Sequence, residues 1–150
     1  MLTVAEFMSP SPTTLTRFNS LADARKTMAE NGFRHIPIVD EVDGLVGLVS
    51  QGNILAHGGT SQNYLEPEEQ AKIESGTLLA DIMVSQVTSV TENFNIADAA
   101  RLIHQTKFGC LPVVDENNQV TGIITAHDFV SITLQLLDLM DQSEPIIDSL

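Results

Sequence analysis

What most limits the folds open to this chain is that its sequence is written twice. Leu15–Leu55 and Val90–Val130 align without a gap at a constant offset of 75 residues. Pro37 falls on Pro112, Gly47 on Gly122, Ala22-Asp23-Ala24 on Ala97-Asp98-Ala99, and Val39-Asp40-Glu41 on Val114-Asp115-Glu116. Met8 on Met83 carries the register back over Val4–Met8 and Leu79–Met83. A duplicated block of about fifty residues is too small to hold a core alone. Two copies must bury each other's apolar faces, and function is expected in the clefts that such an arrangement creates.

Each block predicts the same elements. A short helical turn (Thr3 to Met8; Thr77 to Met83) leads to a brief strand near Thr13–Thr16 or Val87–Thr91. Ser20-x-x-Asp23 and Asn95-x-x-Asp98 then place an oxygen cap ahead of apolar residues at helical spacing: Leu21, Ala24 and Met28, or Ile96, Ala99 and Ile103. Asn31-Gly32 stops the first helix. The runs His35–Val39 with Leu45–Ser50, and Cys110–Val114 with Val120–Thr125, read as strands joined by Asp/Glu/Asn/Gly turns. A last helix starts near Gln51 or Ala126. Glu66–Ser75 reads as a short acidic helix between the blocks. The expected fold class is α+β: two strand–helix–strand–strand–helix repeats packed sheet to sheet about a pseudo-twofold axis. The boundaries are 1–57 for the first repeat, 58–76 for a linker, 77–140 for the second repeat and 141–150 for a tail.

Composition narrows the function. With 43% hydrophobic and 18% charged residues the chain has the material for a folded core. Seven Lys+Arg against twenty Asp+Glu give a formal charge of −13, a field that disfavours nucleic acid and anionic membrane surfaces as partners. A single cysteine, Cys110, and an amino terminus without a basic start or long apolar run lead us to expect a cytoplasmic protein. No metal-ligand spacing such as C-x-x-C or H-E-x-x-H occurs. Cys110 and the methionines at 8, 28, 83 and 140 are read as core filling, and His57 and His104 as surface residues.

One strand-to-helix junction carries recognisable chemistry. In Gly-Ile-Ile-Thr125-Ala-His-Asp128, Thr125 sits at a helix cap and Asp128 in the first turn, where unpaired N–H groups face outwards. The Thr125 hydroxyl can donate to a phosphate oxygen, and the Asp128 carboxylate can accept both hydroxyls of a ribose. The same tetrapeptide is also an ordinary capping box. The matching positions of the first block are Ser50 and Asn53, and Asn has one acceptor oxygen and no charge.

Two stretches carry a family resemblance: Phe-Arg-His-Ile-Pro-Ile-Val-Asp (33–40) with Gly-Leu-Val-Ser-Gln-Gly-Asn-Ile (47–54), and Phe-Gly-Cys-Leu-Pro-Val-Val-Asp (108–115) with Gly-Ile-Ile-Thr-Ala-His-Asp-Phe (122–129). In tandem they resemble the CBS-domain pair, or Bateman module. The resemblance implies a regulatory module, not an enzyme, that needs no cofactor and binds AMP, ADP or ATP, with S-adenosylmethionine less favoured, between its repeats. It implies a homodimer. It also makes Thr125 and Asp128 ligand residues and places Arg34, His35 and His127 as phosphate partners. Thr88, Val87, Leu111 and Pro112 become the adenine lining, while Ser50 and Asn53 mark a second, weaker cleft.

Occupancy would then alter contacts with a dimer mate or a client protein. A ligand-free interaction module is the competing reading, supported by the apolar stripe on Phe129, Ile132, Leu136, Leu137 and Met140. A small nucleotide hydrolase is a third, for which no nucleophile or metal constellation is found.

Overall fold

The structure is a computed structural model that describes residues 1–57, 66–106 and 109–143. A single turn of 3-10 helix at Val4–Glu6 precedes β1 (Ser9–Pro10), α1 (Leu21–Asn31), β2 (His35–Asp40), β3 (Gly44–Ser50) and α2 (Gln51–His57). After α3 (Pro67–Gly76) the second half follows as α4 (Leu79–Ile82), α5 (Ile96–Thr106), β4 (Cys110–Val114), β5 (Val120–Thr125) and α6 (Ala126–Gln142). The protein is α+β, as its sequence predicts.

Local chemistry sets the element ends. Ser20 accepts from the Asp23 amide while Asp23 accepts from the Ser20 amide, closing a capping box at the start of α1. Gly32 then ends the helix with φ at 72°, a left-handed conformation that costs glycine little. The expected strands near Thr13–Thr16 and Val87–Thr91 shrink to single parallel bridges, Leu15 to Ile38 and Val90 to Val113. Each is held by two backbone bonds, of which one is donated to a proline carbonyl, Pro37 or Pro112.

The offset of 75 survives in space as a pseudo-twofold axis. β2 pairs antiparallel with β3, and β4 with β5, with matching irregularities at Ile38/Val39 and Val113/Val114. The bridges from Thr3 to Asn95 and from Ser9 to Ile123 have counterparts from Leu78 to Ser20 and from Val84 to Leu48. These pairs cross between the repeats. β1, near the start of the first repeat, extends the sheet of the second in the order β1-β5-β4.

Burial follows the same exchange. One core unites Leu21, Ala24, Met28, Ile36, Ile38, Val49 and Ile54 with Leu79 and Ile82, which come from the second repeat's leading turn. The other unites Val90, Ala99, Leu111, Val113 and Ile124 with Val4 from the first repeat's leading turn, and Phe7 and Met8 pack against it. Met140, read as core filling, is instead 59% exposed, because the last turns of α6 extend past the core they would cover.

α3 lies against α1, where Glu74, only 8% exposed, accepts from Arg25 Nε at 2.8 Å.

Candidate ligand-binding cleft

The exchange opens a cleft of about 800 Å³ between the repeats. One wall comes from the end of α1 and the start of β2, Gly32 to His35; the other comes from Gly109, Ile123 and the β5–α6 junction, Thr125 to Asp128. The segment after β1, Ser11 to Thr13, closes one side. Ser11 has φ at 48°, unusual for a residue with a side chain, and its N–H donates to the Thr121 carbonyl at 3.1 Å. That turn carries the chain off the sheet edge and along the cleft.

At the junction, Asp128 caps and remains available. Its Oδ2 accepts from the Thr125 amide at 2.8 Å and the Thr125 hydroxyl at 3.3 Å. No described residue donates to Oδ1, so half of the carboxylate faces a half-buried site with its acceptor capacity unspent. Capping and ligand contact are therefore compatible roles for one side chain.

Opposite stands Arg34, exposed and without a carboxylate partner among the described residues, in a chain with twenty Asp and Glu. His35 beside it is half-buried; burial first, and the Arg34 charge second, hold its pKa below the ordinary 6.5. His127 is exposed on the first turn of α6.

The structure thus brings together Arg34, His35, Thr125, His127 and Asp128, five of the residues singled out in the sequence. It places the others elsewhere. Val87 and Thr88 line the symmetry-related cleft with Leu48, Val84, Gln86 and Cys110, a space of only about 10 Å³. Leu111 and Pro112 are buried in β4 inside the second core. Ser50 and Asn53 cap α2, and Asn53 Oδ1 accepts from both the Ser50 amide and hydroxyl at 2.9 Å. Cys110 is buried and its thiol pKa is pushed up to about 12, which suits packing and not nucleophilic attack.

Ser9, Ser11, Pro12, Thr13, Phe33 and Ile123 were not anticipated as lining. Their signal was present in the duplication. Ser11 to Thr13 are the counterparts of Gln86 to Thr88, and become visible once the leading segments are allowed to cross between repeats.

This two-repeat fold with a cleft between its halves has known relatives. A family model described as the CBS domain matches residues 4–58 and 79–134, and the chain belongs to that family. It is 32% identical to the chloroplastic CBS domain-containing protein CBSX1 of Arabidopsis thaliana over 89% of this chain, which spans 65% of that relative's length. Among solved structures it resembles AcuB of Vibrio cholerae at 35% identity, covering 94% of this chain and 98% of that one, with a TM-score of 0.77. It also resembles Arabidopsis CBSX2, solved in complex with AMP, at 30% identity, covering 91% and 99%, with a TM-score of 0.77. The same module recurs inside larger proteins, among them an inosine-5'-monophosphate dehydrogenase of Thermoplasma acidophilum, where the match spans 19% of the relative. No helix among the described residues is long and apolar enough to cross a membrane.

Proposed function

We propose that this chain is a ligand-sensing regulatory module that takes one adenosine nucleotide, AMP, ADP or ATP, into the Asp128 cleft. The supporting observation is the convergence there of an arginine without a carboxylate partner among the described residues, two histidines, a helix cap and a half-used carboxylate, drawn from both repeats. Arg34 and His35 provide cationic partners for phosphate; the Thr125 hydroxyl turns from Asp128 Oδ2 to donate to it; Asp128 Oδ1 accepts from ribose hydroxyls. The complex of CBSX2 with AMP lends the reading its ligand class.

A ligand held by both walls stabilises one packing of the repeats over another, which is the requirement for passing on occupancy. The output goes to a second copy of the chain or to a client protein, in the cytoplasm. The exposed apolar residues of α6, including Leu134 and Leu137, suit a homodimer face.

Thermal unfolding with AMP, ADP, ATP and S-adenosylmethionine tests the proposal on wild type and Asp128→Ala. A ligand at about one hundred times its Kd stabilises by about 2.7 kcal/mol, a rise of several degrees. A shift with one nucleotide that disappears in the variant supports the sensor. Folded protein that shifts with none supports the interaction-module reading, for which α6 is the surface to pursue.

A further inference from the structure

Among the described residues, the open cleft is lined by four titratable groups, and they are not equivalent. Arg34 is a fixed charge at the start of β2. His127 stands exposed on α6, and Asp128, on the same helix, has one oxygen committed to the cap. His35 lies half-buried against the second repeat: a Cβ on Gly109 would stand 3.6 Å from both its Cε1 and its Nε2. Glycine at 109 leaves the imidazole its place on the cleft wall. Neither ring nitrogen has a hydrogen-bond partner among the described residues.

We propose that ligand binding in this cleft is proton-linked through His35, so that the module takes phosphorylated ligands more tightly as pH falls from neutral and takes unphosphorylated ones without regard to pH. The inference rests on the nucleotide reading above and adds its regulation.

In the ligand-free protein, burial and Arg34 disfavour the imidazolium, so His35 stands neutral at neutral pH. The unfolded chain then binds a proton more readily than the folded one, and the free protein loses stability as pH falls below about 6.5. A phosphate in the cleft reverses the balance: its negative charge sits beside the ring, offsets Arg34 and accepts from a protonated nitrogen. A phosphate monoester itself gains a proton near pH 6, which sets the useful window at about pH 6 to 7.

Calorimetric titration of the full chain with AMP and with adenosine tests this. It is run near pH 6.5 in two buffers of different ionisation enthalpy, on wild type, His35→Gln and His127→Gln. Any proton released by the phosphate is common to all three proteins, so the difference between them isolates the side chain. Wild type and His127→Gln are expected to take up a fraction of a proton per AMP more than His35→Gln. Wild-type affinity for AMP, corrected for the fraction of dianion, should rise about three- to tenfold from pH 7.5 to 6.2, with adenosine unchanged. Adenosine binding by His35→Gln reports that its cleft is intact. Equal uptake in wild type and His35→Gln, or a loss that follows His127 instead, overturns the proton linkage and leaves the nucleotide reading standing. If none of AMP, ADP, ATP and adenosine binds wild type, the nucleotide reading fails and the linkage with it.

Discussion

Asp128 and Asn53 occupy equivalent caps and differ by one functional atom. Asn53 spends its only acceptor oxygen on Ser50 and keeps an amide that can only donate, whereas Asp128 keeps a second oxygen. Asp128→Asn should therefore hold the cap and the melting temperature while weakening nucleotide binding. Loss of a hydrogen bond to a charged group, about 1.5–3 kcal/mol, corresponds to roughly ten- to a hundredfold in Kd by calorimetry. Asp23 offers a structural contrast, since the Ser20 amide and the Asn19 side chain hold its carboxyl below the usual range. Its folded-state pKa is lowered, so its contribution is present above the unfolded value near 3.9 and is lost as pH falls through the folded one. Asp23→Asn should flatten acid unfolding below about pH 4, followed by circular dichroism. Both boxes were legible as Ser/Thr-x-x-Asp in the sequence. Which of them borders a cleft was not, because that depends on residues of the other repeat.

At the level of elements, strands and helices were legible from period and caps, but their partners were only half so. Each leading turn aligns with its own repeat and packs into the other, and the repeat register is identical in either case. The resemblance puts the adenine lining at Val87 and Thr88, which border the symmetry-related space, whereas Ser11 to Thr13 border Asp128. The turns between paired strands form a second junction. Asn118, with φ at 64°, donates through Nδ2 to the carbonyls of Asp43 and Leu45 at 2.7 and 3.0 Å and accepts from the Leu45 amide at 2.9 Å. Gly44 lies beneath it with φ at 72°, and a Cβ there would fall 2.1 Å from the Asn118 carbonyl oxygen. Gly44→Ala combines a left-handed alanine with a clash against backbone, and should cost at least about 2 kcal/mol. That corresponds to a drop of roughly 4–8 °C in Tm. Gly32→Ala, with the same φ but open space around it, should lose less in the same melt.

The whole molecule has an uneven exterior. α3 is fastened over α1 through Arg25 and Glu74, while α6 leaves Val130, Leu134, Leu137 and Met140 each about half exposed or more. Val130, Leu134 and Leu137 recur at the spacing of one helix face. Light scattering should give a mass twice the 16.3 kDa of one chain, and Leu134→Glu with Leu137→Glu should return it to one with the melting of the monomer little changed. The apolar run along α6 was visible in the sequence. That its outer face lacks cover among the described residues required the fold.

The crossing of the leading segments also bears on how such a chain arises. Val4 completes one core and Leu79 the other, and β1 and Val84 each pair with the sheet of the opposite repeat. Neither half owns a finished interior, so residues 1–57 made alone should stay unfolded, and made together with 66–150 should copurify as a reassembled whole. A gene encoding a single such block would have yielded polypeptides that fold only by trading their first residues with a twin. Duplication and fusion would then have turned an encounter between two molecules into a step within one.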